Sequence, residues 1–311
     1  IAIDKPKVIV ICGPTASGKT SLSISLAKKI NGEIVSCDSM QIYKQMDIGT
    51  AKVTEEEKEG IIHHCVDILN SDETYSVHDF QQTVRKKITE ITQRGHVPII
   101  VGGTGLYIKA ALYDYQFDEM ENDHHAINEK YKDYTNEQLH DHLKSIDEES
   151  AKTLHFNNRR RVLRAIEIYE TTGKRKSEML EEQEHICLYD AYFVGLTLPR
   201  DVLYERINKR VDVMMENGLK EEMERLYSQG LTRNHQSMKA IGYKEWFDYY
   251  DHQIDLNDVL ELIKKHSRQY AKRQYTWFKN QFDVHWYDVN LENFEQTIEQ
   301  VTDDIEKILK V

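Results

Sequence analysis

Val8-Ile9-Val10-Ile11-Cys12 runs directly into Gly13-Pro14-Thr15-Ala16-Ser17-Gly18-Lys19-Thr20. An unbroken apolar run of this length reads as a strand buried on both faces, the mark of a parallel sheet. The next eight residues fit G-x-x-x-x-G-K-[ST] between that strand and a helical pattern covering Ser21 to Ile30. The glycines let backbone N–H groups turn inward on phosphate oxygens, and the helix start adds its positive end. Lys19 adds a mobile charge, and the Thr20 hydroxyl suits Mg²⁺. The motif specifies a phosphate binder of the kind found in nucleotide- and ATP-binding proteins. Alone it does not specify ATP.

Strand and helix patterns alternate outward from this stretch. Glu33 to Ser36 is a second strand candidate, His64 to Leu69 a weaker third, and Val97 to Val101 a fourth. Between them, Phe80, Val84, Ile88 and Ile91 recur at helical spacing within Val77 to Gln93. Leu188 to Leu198 and Asp283 to Tyr287 return to strand character after residue 185. Helical patterns there cover roughly 200–217, 219–229, 239–250 and 256–279 by their apolar period, with a further helix after Tyr287. The expectation is an α/β fold: a P-loop NTPase-like parallel sheet flanked by helices, with a mostly helical insertion. Residues 1–113 and 186–311 form the core, and 114–185 the insertion, which includes an amphipathic helix over Asn136 to Ile146.

The 311 residues carry 41 Lys and Arg against 53 Asp and Glu, a formal charge of −12. That balance argues against a nucleic-acid partner only if it is uniform, and it is not. Asp114 to Ser150 holds 12 acidic residues and 3 lysines, a local −9 that leaves −3 for the rest. Arg159, Arg160, Arg161 and Arg164 fall within six residues, followed by Gly173-Lys174-Arg175-Lys176. Lys264 to Lys279 has no acidic residue and interleaves its cations with Tyr270, Tyr275, Trp277 and Phe278, a pattern suited to a nucleic-acid backbone and its bases. For these aromatics a place in the core is the stronger reading. The local distribution of charge therefore bears on the partner, and it admits RNA.

Two further loops accompany the phosphate loop. Asp38-Ser39-Met40-Gln41 follows the second strand, and Gly102-Gly103-Thr104-Gly105 follows the fourth. In open α/β sheets ligands bind beyond the carboxyl ends of the strands, so three loops converge on one crevice. The fourth strand ends in two glycines and a hydroxyl rather than a Mg²⁺-holding Asp, which counts against a plain ATPase. Arg206 and Arg210 lie one helical turn apart and could reach a pyrophosphate from the far side, although a surface ion pair to Glu205 or Asp212 is an equal reading for Arg206. His63 and His64 read as structural.

No apolar run approaches the roughly 18 residues of a membrane span, and no leader pattern precedes the first strand. Cys12, Cys37, Cys65 and Cys187 form no C-x-x-C pair, so a reducing, cytoplasmic setting is expected. No dimer stripe is evident, which suggests a monomer.

Taken together, these segments resemble the bacterial tRNA dimethylallyltransferases, also called tRNA isopentenyltransferases. The resemblance rests on GPTASGKT at 13–20, DSMQIY at 38–43, GTAK at 49–52, YSVHDF at 75–80, GGTGLY at 102–107, RRVLRAIE at 160–167, AIGYKE at 240–245 and RQYAKRQYTWF at 268–278. It departs from many members at Asn158, where they carry Asp. The resemblance implies Mg²⁺-dependent transfer of a dimethylallyl group from dimethylallyl diphosphate to the exocyclic amine of an adenosine beside the anticodon, with release of pyrophosphate.

On that reading Gly13 to Thr20 hold the donor diphosphate. Lys19, Arg210 and Mg²⁺ at Thr20 stabilise the charge that builds on it. Asp38 is the candidate base for the amine and Thr104 a group that orients it. Asp38, Ser39, Met40, Gln41, Thr104, Arg160, Arg161, Arg164, Lys239, Gly242, Tyr243 and Lys244 match positions that contact the tRNA anticodon stem-loop, and the target base leaves its stack to enter the crevice. A P-loop nucleotide or small-molecule kinase is the alternative. A nucleotide-dependent RNA-binding switch without transfer chemistry is a third reading.

Overall fold

The computed structural model describes residues 4–114, 125–177 and 186–310. Residues 115–124 and 178–185, parts of the expected insertion, lie outside the described residues. In chain order the elements are β1 (Lys7–Cys12), α1 (Lys19–Ile30), β2 (Gly32–Ser36), the one-turn α2 (Glu55–Lys58), β3 (His63–His64), α3 (Val77–Gln93), β4 (Val97–Gly102) and α4 (Gly105–Leu112). Next come α5 (His125–Lys130), α6 (Asn136–Ile146), α7 (Glu148–Thr153) and α8 (Arg159–Thr172). The remainder supplies β5 (Asp190–Thr197), α9 (Arg200–Glu216), α10 (Leu219–Ser228), α11 (Trp246–Tyr250), α12 (Leu256–Gln281), β6 (Val284–Asp288) and α13 (Phe294–Leu309).

The six strands pair in the order β3-β2-β4-β1-β5-β6, and every pairing is parallel. Ile9 sits opposite Ile99 on one side and Tyr192 on the other, so β1 is central. On one face Ile9, Ile11, Ile34, Ile99 and Leu196 pack with Leu22 and Leu26 of α1 and Ile298, Val301 and Ile305 of α13. The intervening Val8, Val10, Val35 and Ile100 are also fully buried, as a sheet covered on both faces requires. α3 lies against β2 and β4. Its start is set by a capping box in which Ser76 and Asp79 each accept from the other's backbone N–H, and its inward stripe is Phe80, Val84, Ile88 and Ile91.

Two expected elements take other forms. The strand expected over 64–69 ends at His64, because Cys65 and Asp67 adopt left-handed backbone angles of 64° and 57°; only an isolated bridge between Tyr43 and Leu69 continues the pairing. The helix expected over 239–250 is a 3₁₀ turn at Gln236–Lys239 and the short α11, separated by an irregular turn. Gly242 breaks it: its φ is 98°, and its N–H donates to Glu245 Oε1 at 2.8 Å instead of to a helical carbonyl.

His64 is indeed structural. Its Nε2 meets Glu33, whose carboxylate also pairs with Arg94 and His96 at 2.7 Å each. Burial alone would raise the Glu33 carboxyl, but the hydrogen bonds from Arg94, His64 and His96 outweigh it and hold it at about 2. A depressed carboxyl stabilises the fold above its unfolded value and loses that contribution as pH falls through the folded one. Glu33→Gln is therefore expected to lower the melting temperature at pH 7, with the gap to the wild type closing as pH falls from about 4.5 to about 2. Thermal unfolding across pH checks this; a gap independent of pH would contradict it.

The chain divides into two compact units, 1–112 with 187–311, and 113–186. The second is helical where described, with a core of Ile127, Tyr131, Leu139, Leu143, Val162, Leu163 and Ile166. Among the described residues no helix is long and apolar enough to cross a membrane.

Candidate active site

At the carboxyl end of β1 the chain turns through Ala16 and Gly18, both with positive φ (63° and 102°), and enters α1 at Lys19. Gly18 caps the helix without a side chain, so the first N–H groups of α1 remain available to an anion. The helix therefore starts two residues before the apolar period does. Ser17 Oγ donates to Pro14 O at 2.7 Å and braces the loop. Lys19 Nζ donates to Gly13 O at 2.6 Å. Burial brings the Lys19 ammonium down to about 8, partly offset by the charge of Asp38. Arg210 on α9 reaches the same loop, donating to Thr15 Oγ1 at 3.3 Å, and burial lowers its pKa.

The loop after β2 is shaped by Asp38. Its Oδ1 accepts from Met40 N at 2.9 Å and Gln41 N at 3.2 Å, an Asx turn rather than a helix cap. No hydrogen bond reaches Oδ2 among the described residues. The loop after β4 lies alongside: a Cβ on Gly102 would stand 2.2 Å from Cys37 O, so no larger residue can end that strand. Thr104 Oγ1 accepts from Ser39 N at 3.1 Å, which ties the two loops together and leaves the hydroxyl proton to donate elsewhere.

These loops border one cavity of about 640 Å³ inside the first unit, a size that suits a small-molecule ligand. Thr15 to Thr20, Asp38 to Gln41, Gly102, Gly103, Arg206, Arg210, Lys239, Gly242 and Lys244 line it. Gly13, Pro14 and Thr104 are not part of that lining, but each is tied to a lining residue by the hydrogen bonds just described. One wall is apolar, built by Ile207, Val211 and Met214 of α9 and Ile263 of α12. Arg206 faces the cavity, and the Asp212 that could have paired with it is taken by Lys264 at 2.8 Å.

Tyr243 does not take the place expected of it. Its side chain is completely buried and its hydroxyl donates to Glu222 Oε2 at 2.7 Å, so the ring has no face to offer an RNA strand. Burial, reinforced by Glu222, pushes that phenol well above its ordinary value.

The basic run at 264–279 also changes character. It lies within one helix, and Ile263, Ser267, Tyr270, Arg273 and Gln274, at helical spacing, present a stripe to the cavity. Gln274 donates to Gly103 O at 3.0 Å and accepts from Thr15 N at 3.4 Å, so it bridges the phosphate loop and the β4 loop. The positive charges in this run drew attention from the neutral Gln274; only the helical period could have revealed it. Arg268 donates to Asn208 at 2.6 Å, and Phe278 is fully buried.

Arg160, Arg161 and Arg164 lie on α8 in the second unit. Arg160 and Arg161 are exposed, whereas Arg164 pairs with the buried Glu167 at 2.5 Å. The Lys176 ammonium is lowered by burial and then by Arg161 and Arg164, which marks a local cationic cluster. Arg159 instead donates to the carbonyls of Tyr131 and Tyr134 and to Asn136, a structural role. Asn158 precedes α8 without a side-chain capping bond.

For Mg²⁺, Thr20 offers a hydroxyl with no hydrogen-bond partner among the described residues, and it lines the same cavity as Asp38. No cluster of three or more His, Cys, Asp or Glu side chains suited to a metal occurs among the described residues. That set fits an ion carried mainly by substrate phosphates and water, which is how Mg²⁺ is commonly held. No cysteine lines the cavity, and burial pushes Cys12 up to about 12 and Cys37 well above its ordinary value.

Comparison with known proteins agrees with this geometry. A family model described as IPP transferase matches residues 41–281. The tRNA dimethylallyltransferase of Bacillus cereus strain AH187 is 54% identical over 290 residues, covering 92% of this chain and 91% of that one. Among solved structures, the tRNA delta(2)-isopentenylpyrophosphate transferase of Staphylococcus epidermidis is 50% identical with a TM-score of 0.73, covering 97% of this chain and 99% of that one. A eukaryotic dimethylallyltransferase acting on tRNA aligns with a TM-score of 0.87 at 33% identity, covering 98% of this chain and 80% of that one. With a phosphate loop, a carboxylate and an apolar wall around one cavity, and with relatives of this identity along nearly its whole length, the chain belongs to the IPP transferase family, the tRNA dimethylallyltransferases.

Proposed function

We propose that the cavity binds dimethylallyl diphosphate and receives an adenosine from the tRNA anticodon loop, and that the dimethylallyl group passes to the exocyclic amine. Family membership sets the reaction class, prenyl transfer in tRNA modification. The observation that carries the residue-level reading is the meeting of Lys19, Arg210 and the phosphate loop with Asp38 across one cavity.

The donor's carbon–oxygen bond breaks with its electron pair passing to the diphosphate. The α1 N–H groups, Lys19 and Arg210 meet that charge where it develops. Bound at Thr20 and the diphosphate, Mg²⁺ would neutralise part of the same charge. The apolar wall of Ile207, Val211, Met214 and Ile263 takes the five-carbon tail and keeps water from it. The amine nitrogen attacks the freed carbon and loses its proton to Asp38. Thr104 acts through Ser39, holding the loop that presents Asp38.

The reading takes the protein as a monomer that works in the cytoplasm, where it would meet its tRNA. The kinase reading is not favoured by the relatives, and β4 ends in Gly102-Gly103-Thr104 without a metal-holding carboxylate.

The deciding assay combines the protein, labelled dimethylallyl diphosphate, Mg²⁺ and unmodified tRNA with adenosine beside the anticodon. Label should enter the tRNA with release of pyrophosphate; label retained in the donor, with ATP consumed on a small acceptor, would overturn the reading. The α8 cluster is expected to meet the RNA backbone. Arg161→Ala should weaken tRNA binding and reduce the slope of log K against log salt by about 1, the contribution of one phosphate contact. An unchanged salt slope would assign Arg161 to structure.

A further inference from the structure

α10 carries none of the motifs above, yet Glu222 on it is only 2% exposed. A polar group so buried must find hydrogen-bond partners. Its donors are the consecutive backbone N–H groups of Asp47, Ile48 and Gly49 at 2.9, 2.9 and 3.2 Å, and the Tyr243 hydroxyl at 2.7 Å. No cation pairs with it among the described residues.

One buried carboxyl group therefore grips two segments far apart in sequence, 47–51 and 240–244. They meet closely: a Cβ on Gly49 would fall 2.6 Å from the Tyr243 ring. Both segments line the cavity, through Gly49, Thr50 and Ala51 on one side and Ile241, Gly242 and Lys244 on the other. The grip extends further. Thr50 O accepts from Gln41 Nε2 at 3.0 Å, and Gln41 N is held by Asp38. On the other side the Gly242 turn is fixed by Glu245, which is itself bound by His266 at 2.6 Å.

We propose that Glu222 is a positioning residue for the acceptor: it sets the wall against which the target adenosine is presented to Asp38, without touching either substrate. This rests on the reading that residues 38–41 and 239–244 receive the tRNA. The donor's proposed diphosphate contacts lie on the phosphate loop and α9, to which Glu222 makes no hydrogen bond among the described residues. Losing the grip should therefore separate the two substrates kinetically.

Glu222→Gln keeps the volume but leaves one acceptor atom where two served three amides. The expected result is a KM for tRNA raised about tenfold or more, with the KM for dimethylallyl diphosphate within about twofold of wild type. Tyr243→Phe removes one hydroxyl from the same carboxylate and keeps the ring against Gly49. It should raise the tRNA KM by a smaller factor in the same direction, and it carries the test if Glu222→Gln does not fold. Glu222→Asp should recover part of the loss.

The inference is overturned if a folded variant shows both KM values unchanged, or both raised together, since either marks a purely structural carboxylate. Wild-type enzyme runs alongside: wild type that fails to prenylate tRNA defeats the functional reading, whereas active wild type with an unaltered tRNA KM in both variants defeats only the role of Glu222.

Discussion

Asp38→Asn is expected to lower kcat by about 10² to 10⁴, the usual contribution of a positioned general base, while tRNA binding holds. The substitution is chosen for what it preserves. Oδ1 of Asp38 accepts from Met40 N and Gln41 N, and an Asn carbonyl oxygen can accept both. Asn retains the Asx turn and removes only the group that takes the proton. Asp38→Ala removes both functions, so it should add a raised tRNA KM to the same loss of turnover. The comparison separates chemistry from loop placement. Single-turnover transfer with saturating tRNA and donor reads the first, and equilibrium tRNA binding reads the second. A wild-type rate in Asp38→Asn would remove Asp38 as the base.

Lys19→Ala is expected to raise the donor KM and also to lower kcat, together by about 10² to 10³ in kcat/KM. A cation aimed at the leaving diphosphate interacts more strongly as charge builds than it does in the ground state. The same side chain should shape the pH profile. Burial leaves the free-enzyme ammonium near 8, so the charged form declines as pH rises through that value. A bound diphosphate favours the charged form and raises the pKa in the complex. Because kcat/KM reports the free enzyme and kcat the complex, kcat/KM for the donor should fall above about pH 8 while kcat holds to higher pH. Lys19→Arg should flatten that decline, since a guanidinium does not titrate in this range. Kinetics of Lys19→Ala identical to wild type would take the phosphate loop out of the mechanism.

Much of this site was legible one residue at a time. The phosphate loop declares itself because its function lies in local backbone geometry, which glycines at fixed spacing specify. Asp38 and Thr104 were placed by a topological rule: loops at the carboxyl ends of parallel strands share a crevice. Where that logic failed, a contact from elsewhere in the chain had intervened. The resemblance assigns the segment around Tyr243 to the tRNA, but Glu222 on α10 draws the Tyr243 hydroxyl inward. The 239–250 segment has helical period, and the turn at Gly242 overrides it. The 264–279 run reads as a basic face, although Lys264 and Arg268 pair with residues of α9 and the stripe that lines the cavity carries only one cation, Arg273, among neutral side chains.

The division follows the range of the forces involved. Periodicity and turn chemistry act between neighbours, so the order of strands and helices, the phosphate cradle and the uneven charge could be read along the chain. A buried carboxylate must find its donors wherever folding brings them. Glu222 found three amides about 175 residues away, and Gln274 found the loops that follow β1 and β4, at Thr15 and Gly103. Such pairings carry no spacing rule. Only the folded chain decides them, and it decided which residues face the substrates and which hold those residues in place.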